Sequence, residues 1–225
     1  MPVRIRVGTL TAYAAAALAA AALAATTAPA SAAQAGPARA GTVPAAAKAR
    51  PQAVPAFLSA AELPPHPSSA WTAGAITDGV PDELLLCLEQ ALTGQDAQGA
   101  RHRSFWTDLD TSARQLTVVA AGSTEAQALV ARLDEEIRSC PQRLEADPET
   151  EAELADYGPV AVEEGAHVYG LHTQASWGAT DVRLLSVGRD GRTVTVVDWA
   201  QLGDFDDAPV DAFRATTTTA VAKLY

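Results

Sequence analysis

The chain has 225 residues, 48% of them hydrophobic and 19% charged, and its 27 acidic against 16 basic side chains leave a formal charge of −11 at pH 7. That length suits one folded domain with flanking segments. The acidic balance excludes, as an expectation, partners built on phosphate, because a negative chain repels nucleic-acid backbones and anionic lipid headgroups alike.

Arg4 and Arg6 form a short basic start, residues 7–25 are an almost uncharged Ala/Leu-rich run, and residues 26–33 are small. This is the pattern of a secretory signal peptide over residues 1–32, with cleavage expected after Ala32 or else after Ala33. An uncleaved anchor helix is the alternative, weakened by the low hydrophobicity of Ala. The two arginines are not adjacent, which favours the general secretory route, and no Cys lies near the cleavage region to carry a lipid anchor. No later apolar run approaches the ~18 residues of a membrane span. The expected product is secreted and soluble, without stable membrane insertion. Loss of Arg4 and Arg6, with no acid lost, takes the formal charge to −13.

Residues 33–56 are rich in Ala and Pro and hold no aromatic residue. Such a segment buries too little apolar surface to offset its chain entropy, and it reads as a disordered spacer. The folded domain is expected over residues 57–225. Residues 57–79 carry Pro64, Pro65 and Pro67 with Phe57, Leu63 and Trp71 as apolar anchors, and read as an irregular segment strapped onto that domain. Pro81 and Asp82 open a predicted helix to about Leu92, with Leu84, Leu88 and Ala91 on one face and Cys87 beside them. Residues 94–99 read as a loop. Residues 104–109 and 115–121 read as two strands of a hairpin. Ser123 is the expected N-cap of a helix to about Ser139, whose apolar stripe is Ala126, Leu129, Val130, Leu133 and Ile137. Residues 144–164 read as an acidic, solvated loop, since no Lys or Arg lies between Arg143 and Arg183. Three strands follow at 167–173, 180–188 and 193–200, the last two joined at Asp190-Gly191. A closing helix from about Pro209 places Val210, Phe213, Thr217, Ala220, Val221 and Leu224 on one side. Its Thr216–Thr219 run is poor helix material, so tertiary packing must hold it. The order α-β-β-α-β-β-β-α predicts a single α+β domain, an antiparallel sheet packed with helices.

Two cysteines in an exported chain pair more often than not, so Cys87 and Cys140 are expected to form a disulfide. Two free buried thiols are the alternative; two Cys without a nearby His are too few ligands for structural zinc.

A tight turn on Asp190-Gly191 sets Val187 opposite Val194, Leu185 opposite Val196 and Arg183 opposite Asp198 on one face. If Thr173 faces Thr180, His172 lies opposite Asp181 on that same face. His172, Asp181, Arg183 and Asp198 then gather at the sheet end away from the turn, with Val168 among the apolar residues of that face. The other face, carrying Tyr169, Leu171, Val182, Leu184, Val197 and Trp199, is the expected seat of the helices. The polar group reads either as two cross-strand ion pairs or as the polar end of a ligand surface, in which an Arg grips a carboxylate or phosphate. A hydrolase would take Ser176, His172 and Asp181 as nucleophile, base and orienter, but no Gly-x-Ser-x-Gly elbow is present. Asp204-Phe205-Asp206-Asp207 lacks the later Gly and Glu of an EF-hand and suits capping of the closing helix. His66 and His102 are isolated. No Gly-rich phosphate loop is present, and neither a cofactor nor a metal is expected.

Residues 163–170 (EEGAHVYG), the Trp177-Gly178 loop and residues 194–203 (VTVVDWAQLG) resemble the PknH-like extracellular sensor domain, an actinobacterial family. The resemblance covers about residues 57–225. It implies an α+β fold with an antiparallel sheet and a groove that receives a ligand. Kinase sensor domains of this type carry two disulfides, whereas this chain has two cysteines. The expected function is a secreted, non-enzymatic sensor-like domain binding an extracellular small molecule or cell-envelope component at His172, Asp181, Arg183 and Asp198. A protein-interaction or cell-envelope accessory module is the alternative, and a secreted hydrolase the third.

Overall fold

A computed structural model describes residues 54–81, 86–88, 90–92 and 94–225, within the compact unit Arg50–Tyr225. The signal peptide expected at 1–32, and the spacer expected at 33–56 as far as residue 53, lie outside the described residues. The elements are β1 (Thr72–Asp78), α1 (Gly94–Gln98), β2 (Ala100–Trp106), β3 (Ser112–Val119), α2 (Ser123–Leu144), β4 (Thr150–Val160), β5 (Ala166–Ala175), β6 (Thr180–Asp190), β7 (Thr193–Leu202) and α3 (Val210–Ala222). All seven strands form one antiparallel sheet in the order β1-β2-β3-β7-β6-β5-β4. The fold is α+β, and the expected order of elements runs through it, with β1 and β4 added at the two edges.

The helices form where their stripes find partners. In α2, Ala126, Leu129, Leu133, Ile137 and Cys140 are buried, one turn apart along a single side. The residue at its N-cap is Gly122, with no side-chain cap, in place of the expected Ser123. The helix also runs five residues past Ser139, where Arg143 bonds Glu136 and the Cys87 carbonyl. α3 buries Phe213, Thr217, Ala220 and Val221. Its threonines show why packing must hold it. The Thr218 and Thr219 hydroxyls turn back on the carbonyls of Arg214 and Ala215, a habit that does little for a helix. Thr216 instead donates to the Glu62 carbonyl of the strap, at 2.7 Å.

Sequence expectation placed helices on one face of the sheet; the structure places them on both. α2 covers Leu116, Val118, Tyr169, Leu185, Val187, Val194 and Val196. α3, with Leu58 and Leu63 of the strap, covers Val168, Val182, Leu184, Val197 and Trp199. Central strands buried on both faces read as near-continuous apolar runs, which hides which residue faces which layer.

Cys87 and Cys140 form a disulfide with Cα atoms 5.3 Å apart, packed on Leu171. It ties the end of α2 to the segment after β1. The helix expected over 81–92 falls partly on residues 82–85 and 89, outside the described residues. The described part of it is turn, and Cys87 takes φ 76, a left-handed conformation no helix interior holds.

Two further expectations are corrected. The acidic loop contains β4, an edge strand paired along β5. Glu151 and Glu153 are exposed while Ala152 and Leu154 are half-buried, a period of two that charge had masked. Charges suit an edge, where they discourage further strand pairing. Residues 72–78 likewise leave the irregular strap to pair with β2, through a bulge between Ala73 and Ile76.

Residues 94–98, expected as a loop, form the short helix α1. Register is a further correction. Asp190 pairs with Thr193, so the turn residues are Gly191 and Arg192, and Gly191 supplies the positive φ of 55. The two-residue slip keeps every face but pairs Arg183 with Ala200 and Leu185 with Asp198. At the β5–β6 hairpin, Ala175 closes on Ala179 around a three-residue loop whose Gly178 has φ 93. Thr173 therefore opposes Asp181, and His172 opposes Val182. That slip is a single residue, so it turns His172 and Val168 to the α3 face and Tyr169 and Leu171 to the α2 face.

Candidate functional site

On the α2 face, Asp198 of β7 lies between Arg114 of β3 and Leu185 of β6. Arg183, one row further out, reaches diagonally back to it. Its Nη1 donates to both carboxylate oxygens, at 3.2 and 2.9 Å. Asp198 is buried. Burial pushes its carboxyl up from the ordinary value, and the nearby Arg183 and Arg114 guanidinium groups only partly offset this.

Arg183 keeps 30% of its side chain exposed. Among the described residues, its Nε and Nη2 have no hydrogen-bond partner. Its row continues through Ala200 and Ser112 to Trp106. The next row out holds Leu202 opposite Asp181. Trp106 and Leu202 are 45% and 56% exposed, and Ser112 and Asp181 are exposed as well. An arginine braced from below thus stands at an open sheet end, with Leu202 one row out on the neighbouring strand and the indole of Trp106 three strands away along the same row.

Of the four residues expected to cluster, the structure brings together Arg183 and Asp198. Asp181 shares their face at the exposed rim, in no ion pair among the described residues. His172 is on the other face, its ring 5.7 Å from that of Phe205. It lines a separate concavity of about 450 Å³ with Glu145, Glu151, Glu153 and Gln174. The Ser176, His172 and Asp181 arrangement is not assembled, because the sheet stands between His172 and Asp181.

The Asp204–Asp207 run caps its own 3-10 turn at Phe205–Asp207 and not α3: Asp204 accepts from the Asp206 amide and Asp207 from the Asp204 amide. Among the described residues, no three His, Cys, Asp or Glu side chains are grouped to hold a metal ion. No described helix is long and apolar enough to cross a membrane.

Sequence reasoning missed a second concavity, of about 220 Å³, on the α3 face. It lies under the strap, against Trp199 and Gln201 of β7. The run Pro64-Pro65-His66-Pro67 and Trp71 were its only visible signals, and they indicate an irregular segment rather than a cavity.

No family model matches the chain, and no curated protein does. Among solved structures it is similar to the extracellular domain of PknH from Mycobacterium tuberculosis, with a TM-score of 0.40 and 12% identity over 68% of this chain and 86% of that one. The likeness is one of fold alone, and it is weak.

Proposed function

We propose that this chain is a secreted, non-enzymatic, sensor-like domain that binds a ligand at the open end of its α2 face, with Arg183 as the anchor for a carboxylate or phosphate. The observation that carries this is the unspent half of the Arg183 guanidinium. Asp198 fixes Nη1, and Nε with Nη2 remain for a two-pronged contact of the kind Arg makes with planar anions. Leu202, on the neighbouring strand, would receive an apolar portion beside that anion. Asp181 at the rim would repel a second negative group, which favours a monoanion. The disulfide is compatible with an oxidising, extracellular setting.

The test is mass spectrometry of small molecules that co-purify with the secreted protein, repeated on Arg183→Ala. An organic acid present with the wild type and absent from a folded Arg183→Ala supports the reading. An acid retained by that variant removes Arg183 from the site.

A second reading, an accessory module without a small-molecule site, draws on the same sheet end. Leu109 and Trp177, at the tips of two hairpins there, are 55% and 72% exposed. Such side chains suit a protein contact. A wild type that carries no acid but forms a stable complex with an envelope protein would favour it.

A further inference from the structure

The concavity under the strap lies on the opposite face from Arg183 and is independent of it. Its walls are stiff: Pro64, Pro65 and Pro67 from the strap, Pro209 before α3, and the indoles of Trp71 and Trp199. Proline rings and indoles lose little freedom when they are covered, so the site is pre-organised. At about 220 Å³ it falls below the roughly 300 Å³ at which drug-sized sites begin. It suits one or two side chains of something larger.

Its polar groups are largely spent within the wall. Trp71 Nε1 donates to the Pro64 carbonyl at 2.7 Å. Gln201 Nε2 donates to the Asp207 carbonyl at 3.1 Å, and its Oε1 accepts from the Thr111 hydroxyl at 3.5 Å. His66 Nδ1 accepts from the amides of Ser68 and Ser69. A polyol would find few partners here. A proline ring brings no N–H and requires none.

The rim adds a sign. Asp207 lines the mouth, and Asp204 and Asp206 share its turn. No Lys or Arg lines the cavity among the described residues. From these observations we infer that the cavity docks an extended, proline-containing segment of a partner protein with a Lys or Arg beside the proline. The proline ring lies against Trp71 and the basic group meets Asp207. A preformed polyproline II segment enters such an aromatic and proline-lined site at small entropic cost.

The test uses fluorescence anisotropy of a labelled peptide, acetyl-Ala-Pro-Lys-Pro-Ala-Pro-Lys-Pro-amide, titrated with the secreted protein with its disulfide intact. Saturable binding is expected, about tenfold weaker when Ala replaces Pro and about threefold weaker when Glu replaces Lys. Trp71→Ala should abolish binding. Because that change removes packing as well, Asp207→Asn provides the second readout: it keeps an oxygen for the Asp204 amide, and should weaken binding about threefold and flatten its salt dependence. Arg183→Ala should leave peptide binding unchanged, which separates this site from the anion site. No binding at about 1 mM protein, equal binding of the alanine peptide, an unaffected Asp207→Asn, or displacement of the peptide by maltotriose in favour of a sugar would each overturn the inference.

Discussion

Asp198 and Trp199 are consecutive residues of β7, yet they stand in opposite layers of the molecule. On the α2 face the helix covers β7 no further than the Asp198 row, though on β5 its Cys140 reaches Leu171 beside Arg183, and further out Trp106, Leu202 and Asp181 are exposed. A charged pair persists at that border because one partner is braced below and the other still reaches water. On the α3 face the strap carries cover further along the strands, and proline rings that cannot collapse inward leave a cavity beside Trp199. The polar candidate site arises where cover stops; the apolar one arises where cover is stiff.

The comparison can be broken on the α2 side first. The Cys87–Cys140 bridge closes a separation of 53 residues, so its removal by Cys87→Ser with Cys140→Ser should cost about 4 kcal/mol in the chain-entropy account. Urea unfolding of both proteins measures this, and a loss below about 1 kcal/mol would mean the unfolded chain gains little from the opened loop. Leu133→Ala, fully buried between α2 and the sheet, should cost about 3 kcal/mol through lost transfer energy and the cavity left behind. Arg183→Ala should cost less, about 2 kcal/mol, because the arginine is partly exposed and Asp198 can take up a proton once its partner is gone. A Tm fall as large as that of Leu133→Ala would make Arg183 a structural residue and undercut its proposed role.

Smaller effects sharpen the contrast. Thr216→Ala removes the bond between α3 and the strap and should cost about 1 kcal/mol. If the cavity depends on the strap position, the same variant should also weaken the proline peptide; unchanged affinity would show that the strap is held by its apolar anchors alone. The last prediction concerns pH. Burial raises the Asp198 carboxyl in the native state, so the fold holds that proton to higher pH than the unfolded chain does. Its favourable share of stability is full below the ordinary Asp value and is lost as pH rises through the raised one. Asp198→Asn should flatten that decline, seen as urea midpoints compared from about pH 3 to pH 7. A variant whose midpoints track the wild type throughout would place the titration elsewhere.

The elements legible in the sequence were those with an unopposed local signal. The α2 stripe from Ala126 to Ile137 has helical spacing and nothing competes with it. The hydrophobic run of β7 and the Gly191 turn mark a strand pair on composition alone. β4 was illegible because Glu151, Glu153 and Asp156 suggest a solvated loop, and only pairing with β5 makes the alternation of Glu151 and Glu153 with Ala152 and Leu154 matter. The candidate site was half legible. Arg183 and Asp198 share a face under any even slip of register, so they met despite a pairing error. His172 depended on the odd slip at Ser176-Trp177-Gly178, and one residue moved it through the sheet.

The sequence by itself determined an acidic chain, the α+β class and the antiparallel strands, and made a bridge between its two cysteines the expected pairing. These follow from composition, periodicity and count, which are local properties. Tertiary structure alone decided that both sheet faces carry helices, that Arg183 leans on a buried Asp198 while His172 does not, and that four prolines and two tryptophans enclose a cavity. Those outcomes turn on register and on which layer covers which row, and neither is encoded in any single stretch of the chain.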